Sequence, residues 1–251
     1  MERVDQRVLG ALRLVDRVNQ VPVQRTMKIS SNSASLVRNA SGLYVITAAA
    51  GLASHSGAFQ QPPATPASGS VSVSITVEDP QARYLSRLLR MNLPRDADPA
   101  NVANRNSLFR PQEAAMYPAS TASVVGNWSA IRVSVRRDDA PVAGCLLRVI
   151  DEAEGGVRAS GISDQRGEAL VIVPGVPVTK FAGDEDEEDN DDDDPPVMIT
   201  TLPVRLEASA GATLWPVDPD VLEQNHAANL QQSVPLTLKT GRMETVAINL
   251  T

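Results

Sequence analysis

The stretch Val142–Val178 reads VAGCLLRVIDEAEGGVRASGISDQRGEALVIVPGVPV. Three apolar segments, Val142–Ile150, Val157–Ile162 and Glu168–Val173, are set apart by Glu154-Gly155-Gly156 and by Asp164–Gly167. Each segment has strand length and is rich in β-branched residues, and each separator is built from turn formers. Asp164-x-x-Gly167 is the sharpest signal. A short polar side chain can bond the backbone of its own turn, and glycine in fourth place suits a residue that needs positive φ. The pattern predicts a small antiparallel β-sandwich, with Asp164 and Gly167 as structural turn residues.

A second copy of this order lies near the N-terminus. Arg7–Asp16 is open to helix or strand by periodicity, but Gly10 and the following VNQVPV favour a strand. Asn19-Gln20 supplies a turn, and Val21–Ile29 alternates as a further strand with Arg25 interrupting its apolar face. Asn39-x-x-Gly42 then leads into the apolar Leu43–Ala48, as Asp164-x-x-Gly167 leads into Glu168–Val173. Gly42 is therefore expected to be a structural turn too. The clearest strand of the chain is Ser70–Glu78, with Val71, Val73, Ile75 and Val77 on one face and Ser72, Ser74 and Thr76 on the other. Tyr84–Leu93 and Gln112–Tyr117 complete the first series. Asp98-Pro99 and Asp218-Pro219 each start a short helix, with Asp as cap and Pro in the first turn. The second of these is expected to run over Val221–Gln232.

The predicted fold is all-β: two tandem antiparallel β-sandwich units, about seven short strands each. The first spans residues 1–118 and carries a long Ala/Pro/Ser loop at 49–70, pinned by Phe59. Pro118–Gly126 is the expected linker. The second unit spans 127–251, closing with Val234–Leu238 and Thr245–Leu250.

The second unit resembles the carboxypeptidase regulatory-like domains, which are transthyretin-like, Ig-type sandwiches. Pro141-Val142, Gly144, Val149, Ser163-Asp164, Gly167 and Pro174-Gly175 match the family's pattern. Cys145 stands where a small apolar residue is usual, and Ala169 near the usual aromatic. The resemblance covers about 50 residues of motif and implies a fold rather than a chemistry. It transfers no catalytic residue, and its members serve as accessory, adhesive or assembly modules.

Composition narrows the classes further. Aromatics are 3% of the chain, so the cores must be aliphatic. The net charge of −7 comes from one place: Asp184–Asp194 holds ten acidic residues interrupted by Asn190. Without them the chain has 23 basic residues against 20 acidic, a balance of +3. That balance shows no basic field of the kind that binds nucleic acid. No apolar run approaches the roughly 18 residues that span a membrane. The opening MERVDQRVLGALRLVDRV alternates charged with apolar residues and lacks the core of a secretory signal. With Cys145 as the single cysteine, an internal disulfide is excluded. These features predict synthesis in a reducing cytoplasm without a signal peptide, and the assembly reading given below adds membership of a released or virion-like particle.

No residue set points to catalysis. His55 and His226 are the only histidines, too few with Cys145 for a recognisable zinc site. His226 is expected to face solvent and His55 to sit in a loop, while Cys145 should point into a core. Asp151, Glu152 and Glu154 fall at a hairpin tip, where charge is expected. Neither a nucleophile elbow nor a glycine-rich phosphate cradle occurs. Trp128 and Trp215 are the only tryptophans that could offer a stacking platform for sugar. The acidic run has no glycine for a calcium-loop turn. It reads as a solvated loop, with Asp184, Asp186, Asp189, Asp191 and Asp193 able to hold divalent cations only loosely, or else as a segment that docks on a basic partner.

The expected function is non-enzymatic and needs no cofactor. The chain is read as a structural or assembly module: an adaptor, cap or baseplate-type component of a phage-tail-like contractile particle. Its expected partners are other structural proteins and further copies of itself, with no nucleic acid and no membrane insertion. The competing reading is a binding or adhesion module that recognises carbohydrate or a cell surface through sandwich-end loops. Replacing Asp184–Asp194 with a Gly/Ser linker of equal length should leave the melting temperature unchanged or slightly higher, since like charges at close spacing repel. Calorimetric titration of the intact protein with calcium should show weak binding that fades with salt.

Overall fold

In a computed structural model of the chain, residues 7–57, 63–176, 180–181, 197–198, 201–211 and 214–251 are described. The chain is all-β, and its strands form two compact units. Unit 1 comprises residues 1–117 with Leu214–Val221, and unit 2 comprises Pro118–Thr213 with Leu222–Thr251.

Unit 1 contains β1 (Gly10–Asp16), β2 (Lys28–Ser30), β3 (Ala34–Arg38), β4 (Tyr44–Ala49), β5 (Val71–Glu78), β6 (Arg87–Leu93) and β7 (Gln112–Met116). One sheet has the order β3-β4-β1-β7 and the other β2-β5-β6. Period-2 alternation decides which side chains meet between them. Val73, Ile75 and Val77 from β5, Leu89, Met91 and Leu93 from β6, and Leu12, Leu14 and Ile46 from the facing sheet form one buried cluster.

Unit 2 contains β8 (Ser129–Arg137), β9 (Ala140–Pro141), β10 (Leu146–Asp151), β11 (Val157–Ile162), β12 (Glu168–Val173), β13 (Lys180–Phe181), β14 (Val197–Met198), β15 (Thr201–Ser209), β16 (Leu230–Lys239) and β17 (Met243–Leu250). Its principal sheets run β12-β8-β17 and β11-β10-β15-β16, while β13 pairs with β14 alone. Ile131, Val133 and Val135 of β8 meet Leu147, Val149, Val204 and Leu206 across the core. Cys145 lies in the same cluster, fully buried, as its apolar neighbours in sequence imply.

The two units share a pairing scheme. In each, the first strand lies between an antiparallel neighbour and the last strand, which runs parallel to it: β4-β1-β7 in unit 1 and β12-β8-β17 in unit 2. The second sheets correspond as well, β2-β5-β6 matching β10-β15-β16 with antiparallel pairing throughout. One strand differs: β3 extends the first sheet of its unit, whereas β11 extends the second sheet of its own. The parallel pairs are the one departure from the antiparallel order expected.

The twin turns are built alike. Asn39 N–H donates to Leu43 O at 2.8 Å, and Gly42 N–H donates to Asn39 O at 3.0 Å. The corresponding bonds from Asp164 to Glu168 O and from Gly167 to Asp164 O are 2.8 and 2.9 Å. Leu43 and Glu168 N–H donate to the Asn39 and Asp164 side chains at 2.9 and 3.1 Å. Gly42 and Gly167 have φ of 80° and 74°. Ser163, another residue of the matched motif, donates its hydroxyl to Val142 O at 2.7 Å and accepts from Cys145 N–H at 2.9 Å.

Several sequence expectations are corrected. Val21–Ile29 does not form one strand. Pro22 has no N–H, Val21 donates to Asn19 Oδ1 at 2.9 Å, and Met27 N–H is taken by the Tyr44 hydroxyl at 2.7 Å, so the segment makes one isolated bridge, Pro22 with Val15, before β2 pairs with β5. The helix expected over Val221–Gln232 is broken into α2 (Pro219–Gln224) and α3 (His226–Asn229). From Leu230 the backbone pairs with β15 instead, from Ser209 to Thr201, with one register shift between Ala208 and Ser209. His55 sits in the short helix α1 (Ala53–Gly57) and is buried. The units part at Tyr117/Pro118, where the expected linker Pro118–Gly126 begins, and its first residues pack with unit 2. Ala119 and Ser120 are buried in unit 2, where Ser120 Oγ donates to Asp164 Oδ2 at 2.9 Å and Arg132 bonds Ser120 O at 2.8 Å. Phe59, Asp184, Asp186, Asp189, Asp191 and Asp193 lie outside the described residues.

The twin turns should respond differently to one substitution. A Cβ on Gly167 would lie 2.4 Å from Val135 O and 3.2 Å from Pro141 Cα, while one on Gly42 would meet only the flexible end of Arg38 at 3.5 Å. Chemical denaturation should show Gly42→Ala costing about 1–2 kcal/mol, the left-handed penalty alone. Gly167→Ala should cost roughly 2–4 kcal/mol, because overpacking adds to that penalty. Equal costs would contradict the close approach at Gly167.

Candidate anion-binding cleft

In unit 1 the last strands of the two sheets, β6 and β7, flank a cleft of about 790 Å³. Its lining includes four arginines, Arg90, Arg95, Arg105 and Arg110, together with the amides of Asn92, Asn106 and Gln112. Glu113 is the one carboxylate of the lining, and its Oε1 faces Arg13 Nη1 at 3.4 Å. The volume falls in the range of small-ligand sites, though this lining is polar where most such sites are apolar.

Local structure explains how the arginines converge. Arg90 and Asn92 alternate with the buried Leu89, Met91 and Leu93, so β6 turns both outward. Gln112 of β7 reaches across, its Nε2 donating to Arg90 O at 3.1 Å. Arg105 and Arg110 come from the loop after a single 3₁₀ turn at Pro99–Asn101, capped by Asp98, whose Oδ1 accepts from Ala100 N–H at 2.9 Å.

Arg95 holds that loop. Its Nε donates to Ser107 O at 3.0 Å, and one Nη donates to Arg105 O at 2.6 Å and Arg110 O at 3.2 Å. The residue is only 7% exposed. Burial lowers its pKa from the ordinary arginine value, yet arginine stays charged in proteins. Among the described residues, no carboxylate lies within 4.0 Å of Arg95, Arg90, Arg105 or Arg110. Three carbonyl dipoles solvate the buried cation in part; they do not neutralise it. The cleft therefore concentrates positive charge in a partly desolvated place, where an anion would be held more strongly than at an open surface.

Arg87 shows the other solution. It is 2% exposed, and its Nη1 donates to Ala115 O at 2.6 Å. Nη2 meets Asp220 Oδ2 at 3.0 Å and Asp218 Oδ1 at 3.8 Å. These contacts, with Leu88 N–H donating to Val217 O at 2.8 Å, hold Leu214–Val221 in unit 1. Asp218 is raised above its usual carboxylate value, by burial first and then by Asp220, against the pull of Arg87 and Arg90.

The residues singled out from sequence have structural roles where they are described. His226 is buried, not solvent-facing. Its Nε2 lies 3.4 Å from Glu207 Oε2 without making a hydrogen bond. Burial and the charge of Arg148 push it below the ordinary histidine value, so it is neutral near pH 7. Arg148 in turn grips Glu223 through Nε at 2.8 Å. Burial pushes the Cys145 thiol up to about 12, which keeps it protonated and unreactive. Asp151 is a turn residue that accepts from Ala153 and Glu154 N–H and pairs with Arg158. Asp164, despite burial, is held below its usual range by bonds from Arg166, Ser120 and the Arg166 and Glu168 N–H groups. Trp128 and Trp215 are each half-buried. His55 borders a cavity of about 20 Å³, room for one water, and its Nδ1 has no partner. No group of three or more His, Cys, Asp or Glu suited to a metal ion occurs among the described residues.

The cleft is not announced by the sequence. Arg90, Arg95, Arg105 and Arg110 are spread over 21 residues in a chain whose overall charge is acidic. The readable clue was Arg90 and Asn92 on the solvent face of an alternating strand.

No family model matches the chain, and no curated protein matches its sequence. Among solved structures, the Bacillus anthracis TIE protein is similar with a TM-score of 0.27 and 8% identity; the match covers 97% of this chain and 34% of that one. A likeness at this level carries no argument. What the structure itself defines is an all-β, two-unit protein of β-sandwich type with an arginine-lined cleft.

Lysine at position 95 could not bond three carbonyls from one planar group. Arg95→Lys should lower the stability of unit 1 by about 2–3 kcal/mol. It should also make the 105–110 loop the earliest site of tryptic cleavage. An unchanged digestion pattern would show that Arg95 does not hold the loop.

Proposed function

We propose that the chain is a non-enzymatic structural module, an adaptor, cap or baseplate-type component of a phage-tail-like contractile particle, acting beside other structural proteins. The observation that carries this reading is β16. It is ten residues long, ends its sheet, and most of its residues are exposed. Such an edge offers unpaired backbone groups to a neighbouring chain, and strand addition is a common way to join β-proteins. Pro235 and Lys239 limit uncontrolled pairing along it. Buried roles for both histidines and for Cys145 support a non-catalytic reading. Kinship of unit 2 with the carboxypeptidase regulatory-like domains is part of the proposal. The matched Gly144, Ser163, Asp164, Gly167 and Gly175 all serve turns here, which suits a motif that specifies fold.

A second reading, a ligand-binding or adhesion module, is favoured by the arginine cleft. Recognition of neutral sugars is the less supported form of it, since Trp128 and Trp215 are half-buried and neither lines the cleft.

The test is sedimentation and electron microscopy of tagged protein in the cells that make it. The structural reading expects the protein to sediment with large particles and to decorate rings or tube ends. Protein found only as a dispersed species, never with particles, would contradict it.

A further inference from the structure

We infer that the arginine cleft of unit 1 is the docking site for the acidic run Asp184–Asp194 of a second copy of this chain. Three observations converge. First, the cleft carries four arginines without a carboxylate partner among the described residues, one of them 7% exposed, and its only lining carboxylate already faces Arg13. Second, β6 is the edge of its sheet. The chain already lays a segment against this edge, where Leu88 N–H donates to Val217 O at 2.8 Å, and Gln112 takes Arg90 O beside it. An occupant with a peptide backbone can continue that pairing at Arg90 and Asn92 while its side chains reach Arg105 and Arg110. The lining contains no aromatic residue for a base or a sugar ring to stack on, which favours peptide over nucleic acid or glycan. Third, the sequence supplies the matching ligand, ten carboxylates within eleven residues. The carboxylates match the cleft in charge, and guanidinium groups bind them bidentately.

A contact between a cleft on one copy and a run on the next joins copies either reciprocally, as a closed two-fold pair, or head to tail, as rings or chains. This goes beyond the assembly reading and is separable from it. A particle component could join its neighbours through β16 alone, and copies could pair through the cleft without belonging to a particle.

The test uses the full chain and two variants: R90A/R105A/R110A, and a protein whose run 184–194 is replaced by Gly/Ser. The three arginines are exposed, and melting curves check that both variants fold. Light scattering should show wild-type mass rising with concentration and falling back to monomer as salt goes from about 50 to about 300 mM. Each variant alone should stay monomeric. An equimolar mixture should recover a dimer, because one copy keeps the cleft and the other keeps the run. A labelled peptide GDEDEEDNDDDDPP should bind the run-replaced protein roughly tenfold or more tighter than a protein carrying both changes. A wild type that stays monomeric at all concentrations would overturn the inference, even if the peptide binds the run-replaced protein, since the run would then serve its own cleft. Association that survives either change, or a mixture that fails to pair, would overturn it too. So would equal or tighter binding of an oligo-dT or a sulfated oligosaccharide in place of the peptide.

Discussion

Two guanidinium groups lie inside unit 1, and each dictates where a piece of chain must go. A buried cation is costly unless opposite charge or several dipoles surround it. Arg87 draws Leu214–Val221 out of the second half of the sequence, because Asp218 and Asp220 supply the counter-charge. Arg95 gathers three carbonyls of the 105–110 region and so fixes the loop that carries Arg105 and Arg110. The first arrangement is electrically closed. The second leaves positive charge facing a cleft, and the functional reading of unit 1 grows from that difference.

Around this feature the scaffold is conservative. Both units close one sheet by laying the last strand parallel to the first, and both use the same hydrogen-bonded turn before the strand that pairs antiparallel with the first. The shared order of pairings argues for duplication more strongly than the sequence match does, because pairing order is not set by composition. The units then diverge where function can differ. β3 and β11 join different sheets, and unit 1 alone, among the described residues, presents a cleft lined by four arginines.

Strict alternation made much of the fold legible. Val71–Val77 and Ile131–Val135 faced their cores as their period demanded, and Gly42 and Gly167 held the positive φ that their turns required. Local signals failed where tertiary partners took over. Val21–Met27 looked like a strand, but side chains of Asn19 and Tyr44 claimed the N–H groups of Val21 and Met27, and a single bridge to β1 is left. Leu230–Gln232 looked helical, but β15 needed a neighbour. His226 looked exposed because nothing nearby in sequence announced Glu207. The cleft was illegible for the same reason. Its arginines come from β6 and a loop, and only the fold brings Arg90, Arg95, Arg105 and Arg110 to one cleft.

The central claim is that the space between β6 and the 105–110 loop is built to receive an acidic chain. Hydrogen exchange on the run-replaced protein, with and without the acidic peptide, tests it most directly. Amides of Arg90–Asn92 and Arg105–Gln112 should slow when the peptide is present, while β16 and the turns of unit 2 exchange as before. Protection absent from those amides, or spread evenly over both units, would contradict the account.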